Sequence, residues 1–454
     1  MIPEYIKTAL NALEREGFES FVVGGAVRDI LRGVPVNDYD VTTSALPEQT
    51  TRILTEAGYK LIIDSSAKFG TVVFLSPDDP HGKVEVTTFR SDDDYEDGRH
   101  PNEVTFGASL EEDASRRDFT INALYMDKNG EVIDPVNGKA DLEGGLIRAV
   151  GDPERRFRED ALRILRAVRF EAKTGFKIET KTKEAMVSCA HMLDNISAER
   201  ICSECTGIVT APYGPMAIRD NLEVMSAVIP ELLIQKDFDQ RSRFHDRDLL
   251  THTLDTLGGI AVNENGVKDT SLAWSALLHD IGKPEVFTVD ENGEGHMKGH
   301  AEVGRRIAER IADELKFPTE LKVEITKLVT YHDSFPEPSR KSVRRFVSKL
   351  GPDFCEKLFA LQLADVIAHS PLGMPRLQRL ESIVQICHEL IEQGDCLTVK
   401  GLAVSGSDLI SSGFTEGPLI GKILTELLDR VMDETLENTY EALISYAKEH
   451  FEVI

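Results

Sequence analysis

Residues 21–43 read FVVGGAVRDILRGVPVNDYDVTT, and the fold class turns on this stretch. Phe21, Val22 and Val23 have the aromatic and β-branched character of a strand, which runs into Gly24 and Gly25. Ala26 to Leu31 is a short amphipathic stretch, Gly33 and Pro35 mark a turn, and Asp38-Tyr39-Asp40-Val41 leads into Thr42 and Thr43 as a second strand. Alternation in that strand sends Asp38 and Asp40 to one face and turns Tyr39 and Val41 toward a core. Two carboxylates side by side repel unless a cation sits between them, so the pair marks a divalent-metal site. Gly24 and Gly25 before a helix start free the backbone to approach a phosphate, whose charge a helix N-terminus favours. The combination reads as a nucleoside triphosphate with magnesium, hence phosphoryl or nucleotidyl transfer. Each half also has a plainer reading, a simple turn and a solvated edge. The glycine spacing is not that of the dinucleotide fingerprint, and the lysine-serine of a phosphate-binding loop is missing.

At 454 residues the chain exceeds one ordinary core, and roughly two to four domains are expected. Charged residues at 29% and hydrophobic ones at 41% describe a soluble globular protein. Its apolar runs fall far short of the roughly 20 residues needed to cross a bilayer. The N-terminus MIPEYIKTALNALEREGF lacks the concentrated apolar segment of a signal peptide. The six cysteines show no framework spacing, which points to a reducing, cytoplasmic setting. Cys202 and Cys205 form a CxxC with no second pair, in a helical context that argues against zinc. The net charge of −26 opposes any polyanion at long range. Binding to nucleic acid therefore requires a local basic surface, metal or salt.

Outward from the aspartates, residues 3–17 and about 46–58 fit helices, the second with Ser44 as a candidate N-cap. Residues 69–75 and 84–89 read as strands; Glu85, at the centre of the second, is a candidate third acidic partner for Asp38 and Asp40. Five acids crowd 92–97 in what reads as a solvated loop, and Arg116 and Arg117 enter an apolar turn. Residues 153–173 (PERRFREDALRILRAVRFEAK) read as one helix, in which Asp160 and Arg163 are a turn apart and can brace each other; Arg163, Arg166 and Arg169 follow at i+3. Either a surface ion pair or a ligand-reading edge fits that pair. Helices follow at 180–193 and 197–209, and from about 213 the composition is helical throughout. There His252, the adjacent His279-Asp280, His300, His332 and Asp365 are spread through helical segments. Imidazoles combined with carboxylates select transition metals or mixed metal pairs that activate water. A long helix from Arg376 to Gln393, a glycine-punctuated loop and helices at 418–432 and 435–448 complete the chain.

Four stretches in order, GGAVRD (24–29), DYDVTTSA (38–45), RRDFTINAL (116–124) and RFREDALRILRAVRF (156–170), resemble the signatures of bacterial tRNA nucleotidyltransferases, the CCA-adding enzymes, of the class shared with bacterial poly(A) polymerases. The block from His252 to Asp365 resembles the HD phosphohydrolase domain appended to some members. The resemblance implies an α+β multidomain protein: a small mixed α/β, polymerase-β-like head over 1–150, a helical neck over 151–212, an HD domain over 213–370 and a helical, tRNA-contacting tail over 371–454. It implies that Asp38 and Asp40 bind magnesium with Glu85 in support, that Gly24, Gly25 and Arg28 hold the triphosphate, and that Arg117 helps seat the nucleotide. Asp160 and Arg163 would read the base edge, backed by Arg166 and Arg169, and the loop at Asp92–Arg99 would help switch from cytidine to adenosine. Both CTP and ATP present an exocyclic amino group and a ring acceptor that suit Asp and Arg.

In the second domain the resemblance assigns His252, His279, Asp280 and Asp365 to a first metal shell and gives His300 and His332 a second ion or a phosphate. The metal would be Ni, Co, Mn or Zn, the substrates cyclic phosphates or phosphomonoesters. Candidates for the tRNA surface are Arg155, Arg156, Arg158, Arg169, Lys173, Lys177, Lys181 and Lys183. The expected activity is template-free addition of C, C and A to tRNA 3′ ends from CTP and ATP. Enzymes adding only A, only CC or poly(A) share almost every motif, and Leu124-Tyr125 resembles the poly(A) branch. An HD phosphohydrolase with a nucleotide-sensing head is the alternative of a different class.

Overall fold

The computed structural model describes residues 2–36, 38–63, 70–79, 81–92, 104–242, 247–369, 374–393 and 395–452. From residue 93 onward, the acidic loop expected at 92–99 lies outside the described residues, as does Phe69. The chain divides into two units, Met1–Pro230 and Glu231–Ile454.

In the first unit, α1 (Glu4–Arg15) buries Ile6, Leu10 and Leu13 and precedes β1 (Ser20–Val23). Then come α2 (Gly25–Arg32), β2 (Asp40–Thr43), α3 (Pro47–Glu56), β3 (Lys60–Ile63), β4 (Thr71–Leu75), β5 (Lys83–Thr88), β6 (Arg90–Asp92), β7 (Val104–Phe106), α4 (Leu110–Ser115), β8 (Tyr125–Met126) and β9 (Val132–Ile133). Seven of these strands form one sheet in the order β3-β4-β5-β2-β1-β8-β9, antiparallel except where β2 runs parallel to β5. Alternation holds in β5, where Val84, Val86 and Thr88 are buried and Glu85 and Thr87 are not. Ser44 does not cap α3: its hydroxyl accepts from the Glu19 N–H, tying β1 to the end of β2. The cap residue is Leu46, whose N–H donates to Gln49. The chain had to turn two residues later than the polar cap signal implied because Pro47 starts the helix.

After α5 (Gly138–Glu143) and β10 (Leu146–Ile147), the expected single helix over 153–173 is two: α6 (Pro153–Glu159) and α7 (Leu162–Thr174). Asp160 breaks them, with extended backbone (φ −148°, ψ 103°), and its carboxylate accepts the N–H of Leu162. An aspartate competes with the helix by bonding local backbone donors, and here it wins. β11 (Lys177–Ile178) pairs in parallel with β10, and α8 (Thr180–Cys189), α9 (Ala198–Val209), α10 (Gly214–Asp220) and α11 (Leu222–Val228) complete the unit. Cys202 and Cys205 lie on α9, where burial raises both thiols.

The second unit is helical: α12 (Glu231–Gln235), α13 (Leu249–Gly259), α14 (Thr270–Leu278), α15 (Lys283–Val286), a two-stranded hairpin of β12 (Thr288–Val289) and β13 (Gly295–His296), α16 (His300–Glu314), α17 (Thr319–Tyr331), α18 (Arg340–Leu350), α19 (Pro352–Ile367) and α20 (Met374–Glu392). The tail helices α21 (Gly406–Ser411), α22 (Pro418–Met432) and α23 (Tyr440–His450) bury Leu409, Ile423, Leu427 and Leu443 in a core of their own. Among the described residues no helix is long and apolar enough to cross a membrane.

Candidate active sites

Parallel pairing of β2 with β5 sets Asp40 directly opposite Glu85. Asp38 stands just ahead of β2, exposed, and its charge reaches Asp40. Asp40 presents an exposed edge, yet protein atoms desolvate its carboxyl. That burial, followed by repulsion from Glu85 and opposed by Arg117, pushes its pKa up to about 6. Glu85 is less enclosed, with 41% of its side chain exposed and Lys83 at 3.9 Å. Three carboxylates this close, their repulsion only partly offset by Arg117 and Lys83, fit a hard, oxygen-preferring cation such as magnesium.

Gly24 turns β1 into α2 at φ +75°, ψ −134°, a conformation that only glycine adopts cheaply. A side chain there would lie 3.8 Å from Arg117 Nη1. Arg117 is fixed by its other nitrogens: Nε donates to Tyr125 Oη (3.0 Å) and Nη2 to Asp113 (3.0 Å), while Tyr125 Oη donates to the same carboxylate at 2.8 Å. Asp113 is buried; Arg117 and Arg116 outweigh that burial and hold it below the ordinary carboxylate range. The i,i+4 spacing of Asp113 and Arg117 was the sequence signal for this pair, whereas the bond from Tyr125 needs the fold to bring α4 and β8 together. Arg28 is buried, bidentate to its neighbour Asp29 and donating to Asn122 Oδ1 at 2.7 Å.

The neck residues engage different partners from those expected. Asp160 and Arg163 do not brace each other: Asp160 Oδ2 accepts from Arg200 of α9 at 2.9 Å, while Arg163 donates to Glu159 (2.9 Å) and to the carbonyls of Arg156 and Arg116. Arg166 forks onto Asp118 at 3.0 and 2.8 Å, and Arg169 reaches the buried Glu204 at 3.0 Å. Asn122 joins Asp118 to Arg28, so one polar chain links α2 to α7. Arg200 and Glu204 sit among unremarkable helical residues, and their contacts depend on α9 packing against α7. Of the expected RNA contacts, Arg156 is buried against Glu159 and is withdrawn from the surface, because its position faces the α6–α7 interior. Arg155 and Arg158 are exposed but paired with Glu159 and Glu154, and Lys177 with Asp220. Lys173 and Lys181 are exposed, and Lys183 donates to the Asp220 carbonyl.

In the second unit five helices converge. His252 lies in the first turn of α13, below the Asp248 cap; His279 and His332 end α14 and α17; His300 starts α16; Asp365 is in the last turn of α19. His252 Nε2 lies 3.0 Å from Asp365 and 3.5 Å from Asp280, and His279 Nε2 lies 3.2 Å from Asp280. His300 and His332 each put Nε2 3.5 Å from the other oxygen of Asp280. The ring orientations share one cause: Nδ1 of His279, His300 and His332 donates to the carbonyl three residues back, at 2.8, 2.9 and 2.7 Å, using acceptors that helix ends and turns leave over. In the neutral ring the lone pair therefore sits on Nε2, on the side that faces Asp280. Gly282 makes the approach of α16 possible, since a side chain there would meet the His300 carbonyl at 2.4 Å.

Burial opposes charge on His279, but Asp280 and Asp365 overcome it and push its pKa up to about 10. Asp280 and Asp365 are held well below the ordinary carboxylate range despite their burial. His279 Nε2 is buried with no hydrogen bond of its own, which a metal ion would satisfy. Two residues extend the set: Lys283, 2.6 Å from Asp280, and His369, whose Nδ1 donates to the Asp365 carbonyl at 2.7 Å. His369 lies just past the end of α19, and its spacing of four from Asp365 was the sequence signal for the second.

Three family models match successive parts of the chain: Poly A polymerase head domain over 20–148, probable RNA and SrmB-binding site of polymerase A over 175–232, and HD domain over 249–369. Fold and sites thus define a polymerase-β-type nucleotidyltransferase carrying an HD domain. The CCA-adding enzyme of Streptococcus gordonii is 34% identical over 454 residues, 99% of this chain and 98% of that one. That of Geobacillus thermodenitrificans is 46% identical over 209 residues, about half of each chain (46% and 50%). The crystal structure of the Bacillus stearothermophilus CCA-adding enzyme in complex with CTP superposes with a TM-score of 0.70 at 27% identity, covering 99% of this chain and 98% of that one. A Thermotoga maritima CCA-adding enzyme complexed with tRNA shares the fold at 19% identity, with a TM-score of 0.58 over 98% of this chain and 96% of that one. The chain belongs to the CCA-adding enzyme family and is a tRNA nucleotidyltransferase.

Proposed function

We propose that the head adds C, C and A in turn to tRNA 3′ ends from CTP and ATP, and that the HD cluster hydrolyses phosphate esters as a separate activity. The observation that carries the first part is Asp40 paired in register with Glu85, with Asp38 beside it and the Gly24 turn next to Arg117. The CTP bound to the Bacillus stearothermophilus relative agrees with it. In this reading the tRNA 3′ oxygen attacks the α-phosphorus, the bond to the β-phosphate bridging oxygen breaks, and pyrophosphate leaves. Magnesium held by Asp38 and Asp40, with Glu85 in support, would supply charge stabilisation for both oxygens. Gly24, Gly25 and Arg28 line the triphosphate, and Arg117, locked by Asp113 and Tyr125, seats it. Asp160 and Arg163, braced separately by Arg200 and Glu159, present a stiff edge that reads the base. Arg166 and Arg169 back that edge, and exposed neck cations such as Lys173 meet the tRNA. The division into head (1–150), neck (151–212), HD domain (213–370) and tail (371–454) follows these roles.

For the HD cluster, His252, His279, Asp280 and Asp365 would hold one transition metal, with His300 and His332 beside a second or a phosphate. Such a metal activates water for attack on a phosphate ester. A cavity of about 490 Å³ opens over the cluster; Lys283 and Arg376 in its lining pair with Asp280 and Asp333, and Lys298 is a further cation that could meet a cyclic phosphate or phosphomonoester. The head is tested with tRNA lacking zero to three terminal nucleotides and each nucleoside triphosphate in turn. Ordered C, C, A addition is expected; A alone, CC alone or poly(A) would replace the reading with a narrower or different polymerase. The HD cluster is tested with 2′,3′-cyclic nucleotides and Ni²⁺, Co²⁺, Mn²⁺ or Zn²⁺. No turnover with any metal overturns the second part.

A further inference from the structure

We infer that His369 is a further ligand to the cation at His252 and Asp365, making that position richer in nitrogen than the four ligands expected there. The inference rests on reading the cluster as a metal site. Its observation is geometric. The ligand atoms of His252, Asp365 and His369 all lie within 4.8 Å of one another, as do those of His252, His279 and Asp280, and those of Asp280, His300 and His332. His252 and Asp280 are each shared between two of these triads, so the groups form one continuous track, and His369 is its outer member. Its ring centroid is 4.9 Å from that of His252.

The orientation of His369 repeats that of its neighbours. Nδ1 donates to the carbonyl of Asp365, four residues back, as His279, His300 and His332 donate three residues back. Nδ1, which also lies 3.6 Å from the Asp365 carboxylate, is thus occupied as a donor, leaving Nε2 as the ligating atom of the neutral ring. Asp365 and His369 stand one turn apart, so the side chain and the carbonyl of Asp365 act together: one ligates, the other orients a second ligand. His369 also lines the cavity over the cluster. An added imidazole favours Co²⁺, Ni²⁺ or Zn²⁺ over Mg²⁺, which prefers oxygen.

The test uses the full chain stripped of metal and titrated with Co²⁺ against a chelating dye, with the visible Co²⁺ bands recorded in parallel. His369→Asn keeps a donor for the Asp365 carbonyl and removes Nε2; His369→Gly opens a space that free imidazole can fill. Both variants should bind Co²⁺ about 10- to 100-fold more weakly, the scale of losses at metal-site partners. The bands should shift in both, and imidazole should restore the glycine variant. Unchanged affinity and bands in His369→Asn, or no rescue by imidazole, overturn the assignment while leaving the cluster's hydrolytic reading intact. Co²⁺ binding that depends on His369 in a protein that hydrolyses nothing would support the assignment and sink the hydrolytic reading instead.

Discussion

The chain carries two candidate metal centres built on opposite plans. In the head, the ligands are oxygens on neighbouring interior strands of a sheet, aligned by strand register: Asp40 faces Glu85 because β2 and β5 run parallel. In the HD cluster they are mostly imidazoles, buried where five helices end or begin and oriented by spare backbone carbonyls. The first plan yields an open, hard site suited to magnesium on a triphosphate that arrives with it. The second yields an enclosed, nitrogen-rich site that retains a transition metal. Donor type and burial thus suit the two sites to different kinds of cation.

Breaking the head should leave the other centre untouched. Asp40→Ala is expected to cut incorporation of both CTP and ATP by at least roughly 10²–10³-fold, the scale for losing one electrostatic stabiliser. Co²⁺ uptake by the HD cluster should be unchanged. Radiolabel incorporation and metal titration on one preparation check this; a parallel loss in both would mean global damage rather than a local ligand.

The converse variant, Asp280→Ala, removes the carboxylate that four imidazoles and Lys283 surround. Metal affinity should fall at least about 10- to 100-fold and phosphoester hydrolysis with it, while nucleotide addition persists. If hydrolysis is lost together with a large drop in melting temperature, the metal holds helices rather than substrate.

A smaller change is expected from Asp160→Ala, which leaves Arg200 without its acceptor. Discrimination against UTP and GTP should loosen by roughly 5- to 150-fold, the worth of one bidentate pair. Equal losses of kcat/KM for all four nucleotides would make Asp160 only a brace between α6 and α7.

Proton linkage sharpens the contrast between the plans. The Asp40 carboxyl titrates at about 6, so magnesium activation of addition should weaken only as the pH falls through that value. His279 is pushed up to about 10, so metal uptake there must displace a proton across the whole neutral range. Its affinity should rise steadily with pH, read from Co²⁺ titrations at several pH values.

The smallest effect concerns stability. Asp40 is pushed up to about 6 from the ordinary value of 3.8, so ionising it costs the metal-free fold stability. That cost is absent below the lower value, grows between the two and is complete above the upper one. Asp40→Asn should therefore melt higher than the parent in chelator above pH 6 and at the same temperature in acid.

Much of this was legible in one dimension. The Gly24 turn, the Asp38–Asp40 spacing, Glu85 mid-strand and the His279-Asp280 pair at a helix end are local patterns, since strand and helix periods dictate which neighbours share a face. What spacing could not supply was which partner each charged group would take. Asp160 and Arg163, a turn apart, read as a pair; the helix break at Asp160 handed one to Arg200 and the other to Glu159. Glu204 beneath Arg169 belongs to the same class of outcome. An ion pair or ligand set depends on where side-chain ends meet, and those ends meet only after helices and strands distant in sequence have packed. Local physics determined the elements and the chemistry on offer; packing alone decided which donors met which acceptors.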